Sequence, residues 1–212
     1  MIQLTDQELD ANLKHYFDLL RSTEAAGVDD LIYYLDTQTD IRVAPASTKY
    51  HLCVPGGLII HKLGVYNRLD KLIETEGLYS KYSKRNVIIS SLCHDLVKVN
   101  YYRLEARNVK VEDPNAPKGF RWETKMEYRV IPESERLVYG LHGENSLYIT
   151  ECFIKDLTYD EKVAIRWHMG CMDWQDSQAM ISTMSEIYNR SELAFLLHVA
   201  DSMACYLDEK DM

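Results

Sequence analysis

The residues with the clearest capacity for chemistry are an adjacent histidine and aspartate, His94 and Asp95, in the apolar segment SSLCHDLVKVNYY. Lys98 follows within one helical turn. Neighbouring residues of an α-helix point about 100° apart, so they do not normally share a face. Beside a buried surface, however, an imidazole and a carboxylate can bind different edges of one cation, or the carboxylate can bridge two cations.

Three more histidines and an aspartate have comparable settings. His61 lies in the apolar segment GGLIIHKL, His142 at a predicted helix start (LHGENS) and His168 at a predicted helix end (IRWHMG). Asp201 lies in the strongly apolar segment LLHVADSMA. A buried carboxylate needs a partner because an uncompensated interior charge is very costly, and a metal cation is one such partner. Imidazole and carboxylate donors together suit a divalent ion such as Mn, Fe, Co, Ni, Zn or Mg.

The remaining histidines are less informative, because a single histidine on an apolar helix is more often a hydrogen-bonded structural residue than a ligand. We interpret His15 as a surface residue and His198 as a structural residue, which one turn before Asp201 could be its neighbour or supporting partner. His51, in the loop before a glycine pair, is open to either interpretation.

Composition limits the function classes. The 212 residues are 46% apolar, which is enough for the core of one domain, with or without an elaboration. The net charge of -9 argues against duplex DNA as a partner. Five scattered cysteines without a CxxC pair indicate a reducing compartment. With no leader and no long apolar run, the sequence predicts a cytoplasmic protein without a membrane segment and leaves the oligomeric state open.

Hydrophobic periodicity predicts an all-α fold with a small β insertion. The expected helices cover residues 5–23, 28–40, 58–77, 83–99, 143–156, 158–170 and 190–209, and the sixth begins with a capping box formed by Thr158 and Glu161. Between 101 and 135, alternating polar and bulky residues flank the turn-rich DPNAPKG, which predicts a β-hairpin or an extended loop. Aromatic side chains of this insertion either form a lid that stacks on a base or cover one side of the core.

The ordered set of histidines and aspartates resembles the HD-domain phosphohydrolase superfamily. That superfamily has a first histidine on a helix, a His-Asp doublet on the next and a distant aspartate on a late apolar helix, here His61, His94, Asp95 and Asp201. The segments GGLIIH, LCHDLVK and HVAD carry the resemblance. It implies a single helical HD domain over 1–212, with N-terminal helices in 1–43, an HD core in 44–207 and a β-rich insertion in 101–135.

The resemblance also implies the ligand set. The four matched residues would hold one ion, and His142 and His168, with Asp95 as a bridge, would hold a second, as in two-metal members. Two departures restrict what can be carried over. The usual HDIGK is HDLVK here, and a histidine pair is reduced to His168 followed by Met169. Motifs that identify particular substrates of the superfamily are absent, so the resemblance does not give the substrate.

The activity implied by the resemblance is hydrolysis of a phosphoester or phosphoanhydride of a nucleotide or related small phosphorylated compound. Asp95 and Lys98 are the catalytic candidates, with Lys98 placed to meet a phosphate oxygen. Arg166, Glu144 and His51 are candidate substrate contacts. Plainer explanations exist: Lys98 and Arg166 would be solvated helix residues, and Glu144 would favour a helix N-terminus.

Two other functions remain open. The same site could serve a nuclease that trims single-stranded ends, which would need a basic track. The insertion supplies a group of cations: Lys110, Lys118, Arg121, Lys125 and Arg129. Alternatively the chain could be a non-catalytic module that binds a nucleotide or partner, although the complete ligand set argues against this.

Overall fold

The chain is mainly helical, with one two-stranded antiparallel hairpin, in a computed structural model that describes residues 3–171 and 178–210. The helices are α1 (Asp6–Arg21), α2 (Val28–Gln38), α3 (Gly57–Thr75), α4 (Lys84–Cys93), α5 (His142–Phe153), α6 (Tyr159–Trp167), α7 (Gln178–Arg190) and α8 (Glu192–Met203). Strands β1 (Tyr102–Glu112) and β2 (Phe120–Val130) form the hairpin. The predicted helical class with a β insertion is confirmed at this level.

Capping boxes fix the starts of several helices. In α6, the Glu161 amide donates to the Thr158 hydroxyl at 3.2 Å and the Thr158 amide donates to the Glu161 carboxylate at 2.8 Å. This confirms the predicted cap. The same arrangement starts α1, through Thr5 and Glu8. A defined start for α6 matters because His168 directly follows its other end.

Helix α3 lies at the centre of the bundle and packs against α4 and α8, while α6 packs against α4, α5 and α8. Fully buried leucines and isoleucines fill the space between them, including Leu58, Leu92, Ile165 and Leu197. Burial of this apolar surface is the main force that holds the five helices together. The histidines and aspartates identified in the sequence lie on, or next to, these helices.

The start of α5 approaches the end of α6 very closely. A Cβ atom at Gly143 would lie 2.1 Å from the carbonyl oxygen of Arg166, so this contact requires glycine. The approach brings His142, the first residue of α5, close to His168. The predictions of His142 at a helix start and His168 at a helix end are both confirmed.

Two element predictions differ from the structure. The helix expected over 83–99 ends at Cys93 and is followed by a short 3₁₀ turn, Leu96–Lys98, because Asp95 leaves the helical region with φ -112° and ψ 27°. Helix α7 lies in a stretch for which no element was expected. Its partly buried apolar residues, Met180, Met184 and Ile187, follow a helical spacing and pack against the core.

The hairpin stands outside the core. Tyr102 pairs with Val130 at its base and Glu112 with Phe120 near its turn. None of the described core residues belongs to either strand, and the Trp122 side chain is 65% exposed. The interpretation in which the aromatic side chains of the insertion cover one side of the core is therefore wrong for Trp122. Over the described ranges, no helix combines the length and the apolar character needed to cross a membrane.

Candidate metal centre

Side chains from four separate helical regions converge on one buried point. His61 comes from α3, His94 and Asp95 from the end of α4, His168 from the end of α6, and Asp201 from α8. The Nε2 atoms of His61 and His94 lie 3.4 Å apart, and His61 Nε2 lies 3.2 Å from Asp201 Oδ1. Both histidines are buried, and Asp201 is nearly so.

The end of α4 explains how two adjacent residues can reach the same point. His94 keeps helical backbone angles as the C-cap of α4, whereas Asp95 has left the helix. The change of backbone direction turns the Asp95 carboxylate back towards its neighbour, so that His94 Nε2 lies 3.5 Å from Asp95 Oδ2. A continuous helix would have pointed the two side chains about 100° apart.

The two oxygens of Asp95 face different histidines. Oδ1 lies 2.6 Å from His142 Nε2 and 3.6 Å from His168 Nε2. Oδ2 lies 3.5 Å from the Nε2 atoms of both His61 and His94. Asp95 therefore has two imidazoles at each of its carboxylate oxygens.

Backbone carbonyls orient two of the histidines. His94 Nδ1 donates to the carbonyl oxygen of Ser91, and His168 Nδ1 donates to that of Ile165, each at 2.7 Å. Because a carbonyl only accepts, each Nδ1 carries the proton and each Nε2 presents a lone pair. Metal-binding histidines typically donate their other ring N–H to a carbonyl or carboxylate in this way.

Glu209 provides the corresponding contact for His61. The carboxylate oxygens of Glu209 lie 3.0 and 3.3 Å from His61 Nδ1, and Glu209 is almost fully buried. A π-helical turn, Ala204–Asp208, follows α8 and delivers this side chain to the interior. Sequence reasoning missed Glu209, because an acid in the polar segment YLDEKDM looks like a solvated residue.

The donors present fit a divalent metal. His168 Nε2 is buried without a hydrogen-bond partner among the described residues, which is costly unless a cation is its partner. Two groups have ligand atoms within 4.8 Å of one another: His61 with His94 and Asp201, and His94 with Asp95 and His168. His142 joins the second group through its contact with Asp95.

A third group overlaps this centre at His61. It contains His51, His61, Cys205 and Glu209, with His51 Nε2 3.6 Å from Cys205 Sγ and 3.8 Å from Glu209 Oε2. This group would use Nδ1 of His61, whereas the main centre uses Nε2. Filling both would require a fully deprotonated imidazole. We therefore assign Glu209 to the orientation of His61.

Local electrostatics set the charge of each ligand. Burial lowers the pKa of His94 to about 4, which keeps this imidazole neutral. Burial alone would also lower the pKa of His61, but hydrogen bonds to Asp201 and Glu209 raise it to about 9. Burial opposes ionisation of Asp95, yet the neighbouring Lys98 ammonium group and the hydrogen bond from His142 hold its pKa well below the ordinary value. Metals bind ionised carboxylates and neutral imidazoles, so a cation at this point would have to displace the proton that its raised pKa leaves on His61.

Lys98 lies at the centre, as the sequence predicted. Its ammonium group is 2.7 Å from Asp95 Oδ2, and this ion pair raises the Lys98 pKa despite burial. Lys98 also lines a cavity of about 430 Å³, together with Asp95, Asp201 and His51. We call this space the metal-centre cavity.

The structure brings Arg166 and Glu144 together with each other. Their side chains form an ion pair, and the Arg166 guanidinium also lies 4.6 Å from the ring of Trp167. The Glu144 carboxylate accepts a hydrogen bond of 3.0 Å from the backbone amide of Leu141, as a helix-capping residue does. Neither residue lines the metal-centre cavity, so their roles as substrate contacts stay predictions.

His198 supports the centre through the backbone. Its Nδ1 atom donates to the carbonyl oxygen of His168 at 2.6 Å. It therefore holds the segment that carries His168, and this contact is separate from Asp201. The interpretation of His198 as a structural residue agrees with this hydrogen bond.

Comparison of the chain with protein-family models, with curated proteins and with solved structures finds no match. The chemistry of the centre is therefore inferred from its own donors. Imidazole nitrogens and carboxylate oxygens around one buried point suit a divalent ion.

Proposed function

We propose that this chain is a metal-dependent phosphohydrolase with the ligand arrangement of an HD domain. Its substrate would be a nucleotide or a related small phosphorylated compound. The resemblance of His61, His94, Asp95 and Asp201 to that superfamily motivates the proposal. The convergence of these four side chains, which come from three distant parts of the sequence, supports it.

One observation carries the proposal. Asp95 is a buried carboxylate with His142 and His168 at one oxygen and His61 and His94 at the other. Hydrogen bonds to histidines alone would not require so many imidazoles around one acid. A pair of divalent ions with Asp95 as the bridge accounts for all of them.

The residues of the chain have separate tasks in this proposal. His61, His94 and Asp201 would hold one ion, His142 and His168 the second, and Asp95 both. Divalent ions at these positions would polarise a phosphoryl oxygen and make a water molecule a better nucleophile near neutral pH.

Lys98 would bind a phosphate oxygen at the wall of the metal-centre cavity. Its ion pair with Asp95 holds the ammonium group beside the place where charge develops during phosphoryl transfer. His51 lines the same cavity, whereas the other two predicted substrate contacts, Arg166 and Glu144, do not. Lys98 thus has a positioning contact with Asp95 and also lines the metal-centre cavity.

Hydrolysis of bis-p-nitrophenyl phosphate and of a nucleotide panel with added Mn²⁺ tests the proposal. We expect turnover by the wild-type chain and a loss of at least about 100-fold in the isosteric variant Asp95→Asn. Asp36→Asn, an exposed aspartate on α2, is the matched control and should keep wild-type turnover. Full activity of a folded Asp95→Asn variant would refute the assignment.

A further inference from the structure

Two cavities on the surface meet at one lysine. The metal-centre cavity contains Lys98 and the carboxylates of Asp95 and Asp201. A second cavity, of about 610 Å³, lies between residues 48–53 and strand β2, and we call it the hairpin groove. Lys49 lines both cavities. A ligand larger than one nucleotide could therefore pass from the metals into the groove along this side chain.

The hairpin groove is positively charged although the protein is acidic. Its lining contains four cations, Lys49, Arg107, Arg129 and Arg136, and one carboxylate, Glu127. Glu127 pairs with Arg107 at 3.4 Å. Neither Lys49 nor Arg129 has an ion-pair partner within the part of the chain that the structure describes. Unpaired cations next to a phosphate-processing centre favour a second phosphate group there.

Apolar and aromatic surfaces accompany the charges. Tyr50 and Tyr206 line the metal-centre cavity and are 88% and 71% exposed. Leu104, Met126 and Tyr128 line the hairpin groove. Exposed aromatic faces beside a cationic track are what single-stranded nucleic acids use, since any base can stack on them. A phosphate-rich compound without bases would have no use for these surfaces.

We propose that the hairpin groove is a second nucleotide subsite, so that the substrate is a dinucleotide or a short single strand. This inference rests on the proposed phosphohydrolase function. One nucleoside would occupy the metal-centre cavity beside Tyr50 and Tyr206, and the next would occupy the groove. Lys49 would contact the backbone between them, and Arg129 the phosphate beyond. Both volumes lie within the range of small-ligand sites.

The proposal explains why the β insertion lies outside the core. Strand β2 contributes one wall of the groove, from Met126 to Val130. The net charge of -9 opposes a long polymer, whose many phosphates would meet an acidic surface beyond the groove. A short strand needs favourable contacts over only two or three phosphates.

Kinetics on substrates of different length test the subsite. The ratio of kcat/KM for a trinucleotide to kcat/KM for bis-p-nitrophenyl phosphate should fall about tenfold in Arg129→Ala, mainly through KM. Lys49→Ala should lower the same ratio. Lys118→Ala is the matched control, because Lys118 lies in the turn of the same hairpin and does not line the groove. An unchanged ratio in Arg129→Ala, or an equal fall in Lys118→Ala, would overturn the subsite.

A binding measurement separates this inference from the proposed function. If neither bis-p-nitrophenyl phosphate nor any nucleotide of the panel is hydrolysed, the phosphohydrolase proposal fails, but fluorescence anisotropy with labelled RNA and DNA tetranucleotides still tests the groove. We expect binding that Arg129→Ala weakens about tenfold, with a salt-dependence slope smaller by about 0.7. Tetranucleotide binding that is absent, or insensitive to Arg129→Ala, would contradict the subsite even in an active enzyme.

Discussion

His61 Nδ1 lies 3.0 Å from the carboxylate of Glu209, which follows it by 148 residues in the chain. The contact points the opposite ring nitrogen, Nε2, towards Asp201 and His94. The contact between Glu209 and His61, which are both buried and come from distant parts of the chain, thus fixes the orientation of one ligand of the candidate centre. The arrangement makes Glu209 a positioning residue for His61.

Glu209→Gln should lower the affinity for Mn²⁺ or Zn²⁺ by about 10–100-fold, since loss of such supporting hydrogen bonds typically has this effect. The amide can still accept from His61, but it no longer carries the charge that raises the basicity of the ring. Isothermal titration calorimetry of the metal-free protein measures the affinity. Glu186→Gln, on the exposed side of α7, is the matched control.

Equal affinities in Glu209→Gln and Glu186→Gln would contradict the positioning role.

A separate test concerns the group formed by His51, Cys205 and Glu209 beside His61. Cys205→Ser should leave the number of bound ions unchanged, because His61 already uses Nδ1 for Glu209. Loss of one ion in Cys205→Ser would show that the group with His51, Cys205 and Glu209 holds metal, contrary to the orienting role given to Glu209.

Lys98→Met should bind divalent metal more tightly than the wild-type chain and yet turn over phosphoesters more slowly. The Lys98 ammonium group lies 2.7 Å from Asp95 Oδ2, where it repels an incoming cation. The same group is proposed to bind phosphate, so its removal separates the two effects. Calorimetry and steady-state kinetics on one preparation check both directions. Weaker metal binding together with unchanged turnover would exclude this role of Lys98.

The burial of Lys62 predicts an unusual dependence of the protein's stability on pH. Its ammonium group is fully buried, has no hydrogen-bond partner in the described residues, and lies 5.5 Å from the ring of Tyr16. Burial lowers its pKa from 10.5 to about 8. Between pH 8 and pH 10.5, Lys62 is protonated in the unfolded chain but largely deprotonated in the folded chain. This lysine therefore makes the free energy of unfolding rise with pH, by about 3 kcal/mol across that interval.

Lys62→Met should therefore be more stable than the wild-type chain at pH 7, and the difference should shrink as pH rises through 8 towards 10.5. Urea unfolding at several pH values gives the difference directly. Lys71→Met, an exposed lysine on the same helix, should show no such trend. A difference that is constant with pH would mean that Lys62 keeps its ordinary pKa when folded.

The sequence identified the residues that converge better than the residues that support them. His61, His94, Asp95 and Asp201 were identifiable because each polar group interrupts an apolar segment, and such interruptions need a partner. Glu209 gave no such signal, since its burial depends on a π-helical turn that no periodicity indicates. The helix end at Cys93 was also hidden, because the apolar pattern continues through Leu96 and Val97.

Helix α7, by contrast, could have been predicted, because the spacing of its apolar residues indicates a helix. Met180, Met184, Ile187 and Tyr188 recur at the spacing of one helical face. The hairpin was correctly expected from its turn-rich centre and alternating flanks. Its position outside the core could not be expected, since alternation shows that a strand has two faces but not what each face contacts.

The number of metal ions per chain tests the bridging role of Asp95 most directly. After equilibration with Mn²⁺ and removal of free metal, mass spectrometry of the intact protein should find close to two ions in the wild-type chain. We expect about one in His142→Ala, none in Asp95→Ala, and two in the exposed control Asp36→Ala. A folded Asp95→Ala variant that keeps two ions, or a wild-type chain that binds none, would contradict the account.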